Sequence, residues 1–130
     1  MMVSRCVVSV SAALTMTLVT SVVNANNHPN QSEERVVAQH AASCAAYFFS
    51  AANAKGVAEY ERYYGAGEYS FNLAVSLIGE SVSLSDFNVA SKNINQLMER
   101  RWSEFHKVDS EYSDRCHKLL NVFDKLSKAE

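Results

Sequence analysis

The sequence predicts an all-α protein: a small antiparallel bundle of about four helices, crosslinked by one disulfide and preceded by a cleaved signal peptide. Three observations predict this fold. Glycine and proline are scarce, at four and one in 130 residues, and a shortage of helix breakers favours long helices over a turn-rich sheet. Apolar residues recur at helical spacing along most of the chain. The length suits a single domain.

The amino terminus has the pattern of an export signal. Arg5 precedes an apolar run from Cys6 to Val23 that contains six serine and threonine residues. The run ends in Val23-Asn24-Ala25, and small residues one and three positions before the cut are what signal peptidase accepts. An uncleaved membrane anchor is the competing interpretation, but the hydroxyl residues weaken the run as a span. We therefore predict cleavage after Ala25 and a periplasmic or secreted product without membrane attachment.

Cleavage divides the chain into a signal peptide at 1–25, a polar leader at 26–32 and a helical bundle domain at 33–130. Losing Arg5 makes the net charge one unit more negative than the −2 of the full chain. The remaining charges are interspersed. Since they form neither a basic stripe nor a polybasic cluster, we expect no nucleic-acid partner and no binding to an anionic membrane.

The cysteines predict one disulfide. Cys6 leaves with the signal peptide, and Cys44 and Cys116 remain. In an oxidising compartment such a pair usually oxidises, and this bond would close a loop of about 72 residues and remove about 4 kcal/mol of denatured-state freedom. A metal site with His40 and His117 is the alternative. Because Cys116 and His117 are neighbours, they would point about 100° apart on a helix, which favours the disulfide.

Two helices are predicted in the first half of the mature chain. The first covers about residues 31–54 and is slim, since eight of its residues are alanine. Gly56 separates it from a second helix at about 57–78. Gly65 and Gly67 lie inside the second helix at a cost of about 1 kcal/mol each, so the helix either packs closely there or kinks. The predicted buried stripes are Val37, Ala41, Cys44, Phe48 and Ala51 in the first helix, and Tyr60, Tyr64, Gly67, Phe71, Ala74 and Ile78 in the second.

The second half of the chain predicts two more helices, at about 84–107 and 109–128. Ser83 and Asp86 resemble a capping box at the start of the third helix. A single helix of about 45 residues would span about 65 Å and would be far longer than the helices it packs against. We therefore favour a break near 106–110, and one continuous helix is the alternative. In up-down-up-down order the first and last helices are neighbours, which places the two cysteines opposite each other.

The sequence carries no pattern of catalytic or metal-binding residues. It contains no Gly-x-Ser-x-Gly, no Cys-x-x-Cys and no Glu-x-x-His, the spacings that indicate a hydrolase, a redox couple or a di-iron bundle. We therefore predict a protein that is not an enzyme and needs no cofactor or metal.

Aromatic and basic residues mark a candidate interaction surface. Tyrosine and arginine are enriched at the centres of protein interfaces, and four tyrosines fall within residues 60–69. We expect two of them, Tyr60 and Tyr64, to face the core. The alternative is that all four pack at a helix seam with their hydroxyls in water. The candidate residues are Tyr60, Tyr63, Tyr64 and Tyr69, with a second patch at Arg100, Arg101 and Trp102.

Three functional classes fit these observations. The first is an exported binding protein without catalytic activity, such as an inhibitor, an immunity-type protein or an envelope factor, whose partner is another exported or envelope protein. The second is a periplasmic acid- or stress-responsive chaperone, which would unfold and expose apolar surface at low pH. The third is a helical bundle that carries a ligand or cofactor, which a deep pocket or an absorbance band would reveal. The absence of a catalytic pattern favours the first class.

Overall fold

The computed structural model describes residues 32–129. The predicted signal peptide and most of the polar leader lie outside this segment, and cleavage after Ala25 stays a prediction. Within the segment the secondary structure is helical and contains no strand, which confirms the all-α class and the number of helices. The elements are α1 at 32–54, α2 at Val57–Ile78, α3 at Glu80–Leu97, a 3-10 turn at Trp102–Glu104 and α4 at Phe105–Ala129.

Helix α1 is the most buried helix of the bundle. Four residues of the predicted stripe lie in the core, but Val37 is 50% exposed, and that part of the prediction was wrong. Ala38, one position or about 100° further round the helix, takes the place against α2, where it clusters with Ala74. The alanines of α1 lie on several faces of the helix, so neighbouring helices approach it from several sides. The buried residues of α1 are Ala38, Ala41, Ala42, Cys44, Ala45, Ala46, Tyr47, Phe48, Ala51 and Ala52.

Helix α4 runs antiparallel to α1. The sulfurs of Cys44 and Cys116 lie at disulfide distance with their Cα atoms 5.5 Å apart, as predicted. One turn further along α1, the ring of Tyr47 stacks on the rings of Phe105 and Tyr112 at 6.2 and 6.0 Å. The later residue of α1, Tyr47, contacts earlier residues of α4 than Cys44 does. This is the antiparallel arrangement that the predicted bundle and the disulfide both require.

The buried face of α2 matches the predicted stripe only in part, since Gly67 and Ala74 are buried as predicted. Tyr60 and Tyr64 are 43% and 42% exposed, whereas Tyr63 is 8% exposed, so the expectation that the first two face the core was wrong. Helix α2 contacts both α3 and α4, and its face is centred on the small residue Ala66. Tyr63 therefore turns inward, against the ring of Phe48 at 6.3 Å.

The two glycines inside α2 serve close packing, because the helix continues from Val57 to Ile78 without interruption. They serve different neighbours. A β-carbon on Gly65 would lie 2.5 Å from Cζ of Phe123 in α4. Gly67 faces the ring of Phe49 in α1. The side chain that each glycine lacks is replaced by an aromatic ring of another helix.

The boundaries of α3 differ from the predicted ones. The helix begins at Glu80, directly after Gly79 with its φ of +88°. Ser83 is therefore not a cap; it lies inside the helix and is completely buried. The capping-box prediction failed because Gly79 already ends α2 and allows α3 to start at once.

The break between α3 and α4 lies at 98–101, upstream of the predicted 106–110. Two helices are confirmed, but the position was wrong. The amide of Arg100 donates to the carbonyl of Asn95 at 3.0 Å, and the amide of Glu99 donates to that of Gln96 at 3.1 Å. This is a Schellman ending, with φ of +52° at Glu99 and +60° at Arg100. No residue pattern indicated this ending, since glycine usually occupies the left-handed position.

Candidate interaction surface

The four candidate tyrosines do not form one surface. Tyr63 is part of the core, and Tyr69 packs towards α4, with its ring 6.3 Å from that of Phe123. Only Tyr60 and Tyr64 share an exposed face, where their rings stack at 5.7 Å. The predicted cluster is thus divided among the interior and two sides of α2.

Five rings from three helices form a continuous surface around this tyrosine pair, which we call the aromatic groove. Tyr60 stacks on Tyr64, and Tyr64 meets the ring of Phe49 edge to face at 5.1 Å. Phe49 lies 5.9 Å from Phe87, which lies 5.7 Å from Phe71. Edge-to-face pairs of this kind add about 0.5–1.5 kcal/mol each beyond area burial. The rings therefore hold one another in a defined arrangement.

A hollow adjoins each end of the aromatic groove. The one at Phe71 and Phe87 has a volume of about 320 Å³ and is also lined by Leu84, which is 46% exposed. The one at Tyr60 has a volume of about 380 Å³ and is also lined by Val57, which is 94% exposed. Apolar surface therefore continues past the rings at both ends.

The charged side chains that line the two hollows of the aromatic groove are acidic. Among the described side chains that line the two hollows, the charged ones are Glu61 and Glu68. Arg62 of the same helix points the other way, where its guanidinium donates to both carboxylate oxygens of Asp124 at 3.0 and 2.7 Å. This pairing raises the pKa of Arg62 and lowers that of Asp124. The positive charge of α2 is thus directed towards α4 and away from the groove.

The second predicted patch forms the junction between α3 and α4. Trp102 is 53% exposed, and its ring lies 6.4 Å from that of Phe105. Arg101 donates to the carboxylate of Glu99 at 2.8 Å, a contact that, together with Lys107, lowers the pKa of Glu99. Arg101 is therefore used within the junction, and Trp102 remains the accessible aromatic side chain of this patch.

A larger and more polar hollow lies between α1, α3 and α4. Its volume is about 670 Å³. Its residues offer hydrogen bonds but little enclosed apolar surface. Sequence reasoning missed this hollow because its residues are ordinary polar ones spread over three helices. They include Gln39, Ser43, Asn93, Gln96, Glu111 and Arg115.

Of the four candidate metal ligands, His40, Cys44 and Cys116 lie together, and His117 lies apart from them. Nε2 of His40 lies 3.6 Å from Sγ of Cys44, and burial, followed by the charge of Arg115, lowers the pKa of this histidine. His117 instead contacts the amide of Asn121 at 3.1 Å on the exposed side of α4. In residues 32–129 no three His, Cys, Asp or Glu side chains gather as a metal site would require.

Two further findings concern membrane crossing and similarity to known proteins. None of the described helices combines the length and apolarity needed to cross a bilayer. Searches against protein-family models, curated proteins and solved structures find no match to this chain.

Proposed function

We propose that this chain is an exported binding protein without catalytic activity, and that the aromatic groove is its binding surface. The observation that supports the proposal is the continuous array of five rings with two tyrosines more than 40% exposed. Tyrosine is among the residues that contribute most to binding at interface centres. A contiguous apolar patch on a monomer often serves interaction.

The scaffold supports binding because it holds the groove in place before a partner arrives. The rings come from α1, α2 and α3, and the bond from Cys44 to Cys116 fixes α1 against α4. Arg35 and Asp86 add an ion pair between α1 and α3. A surface that is already ordered loses less conformational freedom on binding, and this raises affinity.

A selection of displayed peptides tests the proposal. The disulfide-bonded mature protein is used to select from a random peptide library, alongside a Tyr64→Ser variant and a Val122→Ser control. Val122 lies on α4 and is as exposed as Tyr64, at 42%. We expect one family of peptides to be enriched on the parent and on the control, and to be lost on Tyr64→Ser. Absence of enrichment, or equal enrichment on all three proteins, would contradict the proposal.

Export is the second part of the proposal and has its own test. The intact mass of the protein from the periplasmic or extracellular fraction should correspond to a chain that begins at Asn26. Cys44 and Cys116 should be alkylated only after reduction. A full-length mass would contradict the predicted cleavage, thiols that react without reductant would contradict the disulfide, and the two results together would contradict both export and the disulfide.

An acid-responsive chaperone is a second candidate, favoured by the two interhelical Arg–Asp pairs. The pKa of Asp124 lies below its ordinary value of 3.8, first because Arg62 donates a hydrogen bond to it. A depressed carboxyl pKa stabilises the fold above the unfolded value and is lost as pH falls through the folded one. Opening would therefore require a pH below about 4. Intact near-ultraviolet circular dichroism below that pH would exclude this candidate.

A further inference from the structure

We infer that the segment bound by the aromatic groove is a basic amphipathic helix of another protein. This inference rests on the proposed function and adds the chemistry of the partner. It follows from three properties of the groove: its length, its position between two helices, and the sign of the charges beside it.

The length of the groove suits a short helix. Tyr60, Tyr64 and Phe71 lie along α2 at intervals of four and seven residues. At a rise of about 1.5 Å per residue these positions span about 16 Å, which is about three turns. A partner helix would therefore present three or four apolar side chains along one face.

The walls of the groove also suit a helix. Tyr60, Tyr64 and Phe71 come from α2, Phe87 comes from α3, and Phe49 of α1 lies between them. At the Phe71 end, α2 and α3 flank the ring of Phe49 and form a hollow with an apolar floor, and at the Tyr60 end the hollow lies between α1 and α2. An amphipathic helix that lays its apolar face in such a hollow is a recurring mode of recognition.

The charges beside the groove determine the sign of the charge that a partner should carry. Glu61 and Glu68 are both exposed, and neither pairs with a basic side chain among the residues that the structure describes. Lysine or arginine on the flanks of a bound helix would face these carboxylates. A second copy of this chain would bring like charges together, and an anionic membrane would be repelled by them. A basic partner helix would not be repelled by these carboxylates, as a second copy of the chain or an anionic membrane would be.

Three synthetic peptides test this inference. Each is an amphipathic helix of about 16 residues with the same leucine face, and its flanks carry lysine, glutamine or glutamate. Their binding to the disulfide-bonded mature protein is measured by fluorescence anisotropy. We expect the lysine peptide to bind most tightly, the glutamine peptide less tightly and the glutamate peptide least. All binding should weaken in Tyr64→Ser and persist in Val122→Ser.

Charge reversal provides the matched test. Glu68→Lys should weaken the lysine peptide about fivefold at low salt, since an exposed pair contributes up to about 1 kcal/mol. Asp114→Lys, an equal change of charge at an exposed position of α4, should leave binding unchanged. Equal affinity for the three peptides, or preference for glutamate, would overturn the inference and leave the proposed function standing. If none of the peptides binds in a Tyr64-dependent manner, the inference is overturned, and the library selection decides the proposed function separately.

Discussion

Gly67 of α2 faces the ring of Phe49 so closely that a β-carbon on the glycine would lie 2.9 Å from Cε1 of that ring. The missing side chain makes room for Phe49 to come through from α1 and to meet both Tyr64 and Phe87. The aromatic groove therefore depends on one glycine in its floor.

Replacing Gly67 by alanine should lower stability and weaken binding. Overpacking costs about 1–3 kcal/mol, whereas alanine gains about 1 kcal/mol of helix propensity over glycine. We expect the free energy of unfolding to fall by about 1 kcal/mol, as measured by urea titration. The control is Ser76→Ala at an exposed position of the same helix. A Gly67→Ala protein that is more stable than the parent would show that the ring of Phe49 moves aside without lowering the free energy of unfolding.

Removing the disulfide should greatly reduce stability. The bond joins residues separated by 72 positions, and closing such a loop contributes about 4 kcal/mol in the chain-entropy model. Domains of this size have a total stability of about 5–15 kcal/mol. We expect the double variant Cys44→Ala/Cys116→Ala to unfold at much lower urea concentration. The parent protein in reductant should behave similarly, and an unchanged midpoint in both cases would contradict the structural role of the bond.

Stability at alkaline pH should depend on Tyr47. Burial, and then the hydrogen bond that its hydroxyl donates to Asp109, raises the pKa of Tyr47 above its ordinary value of 10.0. The neutral form is favoured by folding, so its contribution is complete below pH 10.0 and is lost as pH rises through the folded value.

We therefore expect the free energy of unfolding to fall above about pH 10, and to fall less steeply in Tyr47→Phe. Burial also raises the pKa of Tyr112, so the decline is reduced in the variant rather than abolished. Urea titrations at about pH 8 and about pH 11 measure the difference. If the free energy of unfolding fell equally in the two proteins between these pH values, the Tyr47 hydroxyl would not be coupled to folding.

The junction between α3 and α4 should become more stable when glycine replaces Arg100. A non-glycine residue in the left-handed region costs about 1–2 kcal/mol, part of which the greater freedom of glycine in the unfolded chain offsets. We expect a gain of about 1 kcal/mol. Arg101 is the matched control, since its φ of −120° suits any residue. Arg101→Gly should lose stability, and a gain in both variants would contradict the assignment of strain to Arg100.

The sequence was sufficient to predict the helices and their crosslink. Glycine scarcity and apolar periodicity are local properties, and Gly56 and Gly79 mark two of the helix boundaries. The disulfide followed from cysteine arithmetic, because two cysteines allow one internal pairing. The break near Arg100 could not be predicted, since it occurs without glycine or proline and is closed by backbone hydrogen bonds.

The candidate surface was only partly predictable. Tyr60 and Tyr64 belonged to the right helix and to one stripe, but that stripe was assigned to the core. Its burial depends on which helices flank α2, and this is a property of the assembled bundle. Phe49 was missed because it follows Phe48 and falls outside the stripe of α1. It becomes recognisable only when Gly67 is placed opposite it.

A photo-crosslinking amino acid at position 64 tests the central proposal most directly in the cells that produce the protein. The same amino acid at position 122 controls for general exposure, because Tyr64 and Val122 are both 42% exposed. We predict a discrete crosslinked product from position 64 alone, whose partner peptide, identified by mass spectrometry, is a basic amphipathic helix. No product from position 64, or the same products from both positions, would contradict the aromatic groove as the binding surface.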